Sequence, residues 1–220
     1  NSMLSFFDTY GMMSNDGIFN LVRAFMRARQ VAVDTTFEEL HARFGHELVV
    51  TGYNVSRGRL EAFSHRTHAS MRVVRALEIS SCIPLVFRPV FYEGDLYVDG
   101  GLVDAVPREF VRSRRRTLVL QACTGCLSDE LARRPTDVFR YVLLLISRLY
   151  DRLHDYDDAA NHKRRLHIIS IRVRTMWDLM DFGMGNATKR ELYTMGYMGA
   201  RRHWEVETES RDGAAEIPSS

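Results

Sequence analysis

Apolar runs of strand length alternate with helical patterns along this 220-residue chain, and this alternation predicts an α/β layered fold. Hydrophobic residues make up 45% of the chain, enough for one well-formed domain. One predicted strand is followed by Asp-Gly-Gly at residues 99–101, so the Asp99 carboxylate lies at the start of a turn. We expect residues 1–205 to belong to a single domain and the small, polar residues 206–220 to form a frayed tail.

Hydrophobic periodicity predicts the elements of the first half of the chain. Thr36-Phe-Glu-Glu39 matches a capping box, which indicates a helix N-terminus, and Gly45 supplies a stop. Arg57-Gly58-Arg59 separates two apolar runs, which predicts a β-hairpin. The predicted elements are a helical region over 3–30 in two pieces, a helix over 36–44, strands over 47–54 and 60–64, and a helix over 71–79.

The second half continues the alternation. Thr188-Lys-Arg-Glu191 is another capping-box pattern, which predicts a helix to about residue 204. The apolar run over 141–146 is too short to cross a bilayer, and no other run is longer. The remaining predictions are a strand over 117–122, a helix over 138–154 and a strand over 166–173.

Charge and cysteine content restrict the class of partner. The formal net charge is only +2, which gives no argument for nucleic-acid binding. The three cysteines are too few and odd in number for a disulfide framework, so we expect a reducing, cytoplasmic compartment. Arg112-Ser-Arg-Arg-Arg116 fits a solvated segment better than a site for anionic lipid, although peripheral membrane contact is left open.

The Asp-Gly-Gly turn has an ordinary and a chemical interpretation. Asp and Gly are common turn residues, so a strand end followed by a turn explains them. However, Gly100 and Gly101 can take positive φ and place no Cβ beside the carboxylate, so another group could approach Asp99 closely. Desolvation there would raise the pKa of Asp99 and make it a better base.

The segment before this turn resembles the patatin-like phospholipase family. That family has an Ala-Ser-x-x-Ile-Pro-x-x-Phe-x-Pro stretch, then a small hairpin, then Asp-Gly-Gly or Asp-Gly-Ala. This chain departs from the pattern at Ile79, where Ala is usual, and at Asp104, where Asn is common, whereas Pro107 matches the usual ending. The matching residues are Ser80, Ile83, Pro84, Phe87, Pro89, Asp99, Gly100 and Gly101.

The resemblance implies a three-layer α/β/α patatin-like fold and hydrolysis of a phospholipid or other lipid ester by a Ser-Asp dyad. Asp99 would accept the serine proton, and Ser80, Ile83, Pro84, Phe87 and Pro89 would shape the site. No metal or other cofactor is implied. In the family, the Gly-x-Ser-x-Gly elbow and a Gly-rich oxyanion loop precede these motifs, and neither occurs in these 220 residues. We therefore expect the C-terminal part of a longer hydrolase, inactive alone, with the serine upstream.

Other interpretations remain beside this one. Ser56 is the nearest imitation of an elbow serine, but it lies at a hairpin turn. The alternative function is a non-catalytic patatin-like module that binds lipid or protein, and in that case we expect an oligomer. Cys123-Thr-Gly-Cys126 has redox spacing without the usual helix, and the acidic residues over 151–158 lack the spacing of a calcium loop. We interpret both segments as structural.

Overall fold

The computed structural model describes residues 10–110, 117–124, 138, 141–142, 144–146, 148–149, 167–173 and 184–215. The chain divides into two compact units, residues 1–110 and residues 111–220. The first unit contains, in order, β1 (Gly11–Met13), α1 (Asp16–Ala28), α2 (Phe37–Phe44), β2 (Val50–Asn54), β3 (Arg59–Phe63), α3 (Val73–Ser80), β4 (Leu85–Phe87), β5 (Val90–Tyr92) and β6 (Asp95–Asp99). The second contains β7 (Leu118–Thr124), β8 (His167–Val173) and α4 (Asn186–Ala215).

Two sheets organise the first unit. The larger is antiparallel and has the strand order β3-β2-β6-β5. Its register places Gly52 of β2 opposite Asp99 at the end of β6. The smaller sheet is a parallel pair in which Gly11 of β1 lies opposite Leu85 of β4. The mixture of helices and strands agrees with the predicted α/β class, whereas the three-layer α/β/α arrangement is not confirmed.

The core of the first unit lies between α3 and the antiparallel sheet. Its fully buried side chains include Phe37, Phe63 and Ile79. Gly52 is required at the contact between α3 and β2, because a Cβ there would lie 2.3 Å from Ile79 Cγ2 and 2.9 Å from Phe63 Cε2. The strand that carries Asp99 is therefore fixed against a neighbour that is itself held by close packing.

A buried polar network fixes the other end of β6. The side chain of Asn54 is fully buried, and its Nδ2 donates to Glu61 Oε1 (3.1 Å), Asp95 Oδ2 (2.9 Å) and Tyr97 Oη (3.0 Å). Tyr97 Oη in turn donates to Glu61 Oε2 at 2.9 Å. Burial and the neighbouring Glu61 raise the pKa of Tyr97 to about 12. These bonds connect three adjacent strands, β3, β2 and β6.

The predicted capping box is confirmed. The amide N–H of Glu39 donates to Thr36 Oγ1 at 3.3 Å, and the amide N–H of Thr36 donates to Glu39 Oε2 at 2.8 Å. Helix α2 ends at Gly45, which has a φ of +69°. The hairpin of β2 and β3 and the helix before Ser80 are also confirmed.

The prediction for residues 3–30 is only partly correct. Helix α1 confirms its second piece, but Gly11–Met13 is a strand rather than part of a helix. The reason is tertiary: β1 pairs in parallel with β4, and a Cβ on Gly11 would lie 2.4 Å from the backbone carbon of Phe87. Residues 3–9 lie outside the described part of the chain.

The second unit pairs β7 with β8 in parallel and packs α4 against β8. Both predicted strands are confirmed, and the described residues between 138 and 149 are helical as expected. Helix α4 begins at Asn186, so Thr188 lies inside the helix and does not cap it. The sequence predicts a frayed tail from residue 206, whereas the helix continues to Ala215. Among the described residues, no helix is long and apolar enough to cross a membrane.

Candidate active site

Asp99 is the last residue of β6, and backbone contacts fix it on two sides. Its amide N–H donates to the carbonyl of Cys82 at 2.9 Å, which ties the strand end to the segment that follows α3. Its Oδ1 accepts a hydrogen bond from the amide N–H of Gly101 at 2.8 Å. The other carboxylate oxygen, Oδ2, has no hydrogen-bond partner among the described residues. One oxygen is therefore used to orient the side chain and the other is available for chemistry.

The environment of this carboxylate changes its acidity. Burial raises the pKa of Asp99 from its usual 3.8 to about 6, although the Gly101 N–H acts in the opposite direction. Desolvation disfavours the charged form, and no basic side chain within the described part of the chain contributes to its stabilisation. A carboxylate with this pKa is mostly ionised at neutral pH and is a stronger proton acceptor than an exposed aspartate.

The two glycines allow close packing, but not through positive φ. A short 3-10 turn spans Gly100–Leu102, and neither glycine has a positive φ, so that part of the expectation is wrong. Instead, a Cβ on Gly100 would lie 2.8 Å from Thr51 Oγ1, and a Cβ on Gly101 would lie 3.1 Å from Asp99 Oδ1. Gly100 lets the turn pack against β2, and Gly101 keeps the space beside the carboxylate free.

The Ile-Pro segment begins directly after Cys82, whose carbonyl accepts the hydrogen bond from the Asp99 amide. Ser80 is the last residue of α3, and the carbonyl of Ile83 accepts hydrogen bonds from the amides of Val86 (3.2 Å) and Phe87 (3.0 Å). Pro84 leads into Leu85, which has a φ of +67° that residues other than glycine rarely adopt. Phe87 is buried in β4, and the half-buried Pro89 connects β4 to β5. The site-shaping roles of these side chains remain a prediction.

Sequence reasoning missed the contact between Asn15 and Cys82. Asn15 Nδ2 donates to Cys82 Sγ at 2.9 Å, and that sulfur lies 3.1 Å from the carbonyl oxygen of Arg88. The contact attaches the start of α1 to the residue whose carbonyl receives the Asp99 N–H. Burial raises the pKa of Cys82 to about 12, so the group remains a neutral thiol. The only sequence signal was a cysteine directly before the Ile-Pro motif.

The serines that the structure describes do not complete a dyad. Ser56 Oγ accepts a hydrogen bond from the amide of Leu96 at 2.9 Å, which gives it a structural role in the hairpin. Ser81 Oγ donates to the carbonyl of Leu77 at 2.6 Å, at the end of α3. Among the described residues, no serine hydroxyl is hydrogen-bonded to Asp99. Residues 112–116, Cys126 and the acidic segment over 151–158 lie outside the described part of the chain.

The first half of the chain matches a known protein family. A family model described as patatin-like phospholipase matches residues 2–111, half of the chain. The chain belongs to the patatin-like phospholipase family. The matched residues include the whole segment from Ser80 to Gly101, and they end where the first compact unit ends.

Two viral proteins are similar to this patatin-like chain, each over about 100 residues. A protein named as a probable lipid hydrolase of invertebrate iridescent virus 6 is 29% identical over 97 residues, which are 44% of this chain and 33% of the relative. An uncharacterised protein of Acanthamoeba polyphaga mimivirus is 26% identical over 100 residues, which are 46% of this chain and 32% of the relative. The chain thus spans about a third of the length of the curated relatives it matches.

Proposed function

We propose that this chain is the C-terminal part of a lipid acyl hydrolase of the phospholipase A type, which cleaves an ester bond with a Ser-Asp dyad in which Asp99 is the proton acceptor. The observation that carries the proposal is the Asp99 carboxylate, which is half-buried, is oriented through one oxygen by Gly101 and has no hydrogen-bond partner among the described residues at the other oxygen. Family membership and the name of the iridescent virus relative support a lipid ester as the substrate.

In this mechanism, Asp99 takes up and releases a proton twice, once in each half of the reaction. Its Oδ2 first accepts the proton of the serine hydroxyl as the oxygen attacks the ester carbonyl, and the leaving alcohol then takes up that proton. The carboxylate next removes a proton from the water that hydrolyses the acyl-enzyme, and that proton passes to the serine oxygen as the fatty acid is released. A pKa of about 6 suits both steps, because the group is ionised at neutral pH and still has appreciable affinity for a proton.

A dyad without histidine requires direct contact between the carboxylate and the hydroxyl. Gly101 supports such contact, because any larger residue would place a Cβ 3.1 Å from Asp99 Oδ1. The opposing residue on β2 is Gly52, but the space at Gly52 is filled by Ile79 and Phe63. Gly101 is therefore the position that leaves room beside the carboxylate for a second chain segment.

We propose that the serine elbow and the oxyanion donors come from sequence N-terminal to this chain. The parallel pair of β1 and β4 supports this arrangement, because isolated two-stranded parallel sheets are uncommon and parallel strands are usually part of larger, covered sheets. Additional parallel strands beside this pair would produce the three-layer α/β/α fold, with residues 1–205 in one domain. Backbone oxyanion donors contribute roughly 10²–10³ in rate each, so this chain alone would be inactive.

The test is covalent labelling of the full-length protein with a fluorophosphonate, which reacts with activated serines, followed by peptide mapping. We expect one labelled serine in a Gly-x-Ser-x-Gly sequence outside these 220 residues. Labelling and fatty-acid release from an ester phospholipid should both be lost when that serine is replaced by alanine. If no serine is labelled and no fatty acid is released, the alternative, a non-catalytic module that binds lipid or protein, replaces this proposal.

A further inference from the structure

Cys82 is fully buried and uses each of its polar groups to join a different part of the first unit. Its amide N–H donates to the carbonyl of Ile79 at 3.1 Å, near the end of α3, and its carbonyl accepts the Asp99 N–H at 2.9 Å. Its Sγ donates to the carbonyl of Arg88 at 3.1 Å, just after β4, and accepts a hydrogen bond from Asn15 Nδ2 at 2.9 Å. The thiol therefore connects the end of β4 and the start of α1 to the residue that holds the Asp99 backbone.

Asn15 occupies the N-cap position of α1, but its side chain does not cap the helix. Asparagine at this position usually accepts a hydrogen bond from an amide of the first turn. Here Ser14 Oγ accepts the Asp16 N–H at 3.2 Å, and Asn15 Nδ2 donates to the thiol of Cys82. Asn15 Oδ1 is buried and has no hydrogen-bond partner among the described residues. The carboxamide thus serves the thiol rather than the helix.

The thiol also holds a strained segment. Between Cys82 and Arg88 lies Leu85, whose φ of +67° is one that residues other than glycine rarely adopt. Such a conformation persists only where surrounding contacts hold it, and the bond from Cys82 Sγ to the Arg88 carbonyl is one of these contacts. We therefore expect loss of the thiol to let this segment relax and to shift the Cys82 carbonyl that binds the Asp99 amide.

The charge on Asp99 and the protonation of the thiol support each other. Burial raises the pKa of Cys82, and the negative charge of Asp99 acts in the same direction, so the thiol keeps the proton that it donates to Arg88. The sulfur therefore lies within electrostatic reach of the carboxylate and adds no second negative charge beside it.

We propose that Cys82 and Asn15 are positioning residues for Asp99, which act by fixing the backbone carbonyl that binds the Asp99 amide. The inference rests on the proposed function, in which Asp99 is the proton acceptor. Cys82 falls at one of the x positions of the Ala-Ser-x-x-Ile-Pro pattern, so the family pattern assigns it no role.

The first test compares Cys82→Ala, which removes both sulfur contacts, with Cys82→Ser, which keeps a donor and an acceptor. In the full-length protein, we expect Cys82→Ala to lower kcat for ester hydrolysis by about tenfold and to change KM by less than about twofold, because small displacements of a catalytic group are costly. Cys82→Ser should stay within about threefold of the wild-type kcat. The matched control is Cys123→Ala, the same change in β7 of the second unit.

Asn15→Ala tests the same proposal at a position where folding is less at risk. Asn15 is only half-buried, and its side chain makes no capping bond that the substitution could remove. We expect kcat to fall by about threefold, because the thiol loses its donor. Asn20→Ala, the same change at an exposed position of the same helix, should leave kcat unchanged.

Titration of Asp99 by carbon-13 NMR, with Asp99→Asn to assign its signal, gives a readout that does not depend on turnover. The wild-type midpoint should lie at about 6, and Cys82→Ala should lower it by about one pH unit, because a displaced carboxylate is better hydrated. An unchanged midpoint together with wild-type kcat in Cys82→Ala and Asn15→Ala overturns the proposal. So does an equal loss of kcat in Asn15→Ala and Asn20→Ala. If the wild type has no ester turnover, the proposed function fails, and the NMR midpoints alone decide whether these residues position Asp99.

Discussion

Replacing Asp99 with asparagine should stabilise the protein at neutral pH, because the substitution removes a charge that is partly desolvated in the folded chain. The pKa of Asp99 is about 6 in the folded chain, against 3.8 for an ordinary aspartate. Below about pH 3.8 the group is protonated in both states and costs nothing, and above about pH 6 it is ionised in both states. The cost of ionisation therefore appears as pH rises through this interval and remains constant above it.

The two pKa values give the size of the effect. A pKa difference of one between the folded and unfolded chain corresponds to about 1.4 kcal/mol. The ionised carboxylate therefore lowers the free energy of unfolding by roughly 3 kcal/mol at about pH 7.5. At about pH 4.5 the same calculation gives a cost of roughly 1 kcal/mol. Asparagine keeps an oxygen for the Gly101 N–H, so the main change is the loss of charge.

Urea denaturation of the wild type and Asp99→Asn at these two pH values measures the effect. The variant should gain about 3 kcal/mol at the higher pH and about 1 kcal/mol at the lower pH. Asp104→Asn is the matched control, since Asp104 also accepts a backbone hydrogen bond, from Val106 at 2.9 Å. The reasoning is refuted if Asp99→Asn is less stable than the wild type at neutral pH. It is also refuted if both variants gain equally, because net charge would then explain the result.

Four further predictions concern Asp99, the residues around it and the network at the other end of β6. Gly100→Ala should lower the free energy of unfolding by about 1–3 kcal/mol in urea denaturation, because the new Cβ would lie 2.8 Å from Thr51 Oγ1, and unchanged stability would contradict this packing. Gly101→Ala should instead keep most of the stability and lower ester turnover in the full-length protein, because its Cβ would press on the Asp99 carboxylate. Asn54→Ala should destabilise by roughly 1–3 kcal/mol, since it removes the buried amide from Glu61, Asp95 and Tyr97, and a cost under about 1 kcal/mol would show that water replaces the amide. The kcat/KM of the full-length enzyme should rise with pH with a midpoint near the Asp99 pKa of about 6, and a profile flat through that region would exclude Asp99 as the base.

Local sequence patterns predicted the elements whose determinants lie within a few residues. The capping box at Thr36 and the stop at Gly45 require only side chains and backbone of the same helix, and both are present as predicted. The hairpin at Arg57-Gly58-Arg59 also depends on a local turn. For such elements the relevant interactions are visible in the sequence itself.

Elements that depend on distant contacts could not be predicted in this way. Gly11–Met13 is a strand because β4, more than seventy residues later, pairs with it. The reason for Gly52 also becomes clear only when Ile79 is placed 2.3 Å from its missing Cβ. Helix α4 continues to Ala215 through polar residues that lack the apolar periodicity used for prediction.

The candidate site was predictable in its central residue but not in its supports. Asp99 was identified because a family motif surrounds it, and the desolvation that we expected is present. The contact between Asn15 and Cys82 joins positions 67 residues apart, and neither residue alone suggests it. Of the two properties expected of Gly101, the positive φ is absent, whereas the space beside a carboxylate oxygen is present.

The most direct test of the account is ester turnover by the full-length protein with Asp99→Asn, compared with Asp104→Asn. The account predicts that Asp99→Asn lowers kcat by about a hundredfold or more at neutral pH while the protein remains folded, because the dyad loses its only base. Asp104→Asn, the same chemical change five residues later, should retain nearly the wild-type rate. Near wild-type turnover in Asp99→Asn would contradict the central claim that this carboxylate is the proton acceptor.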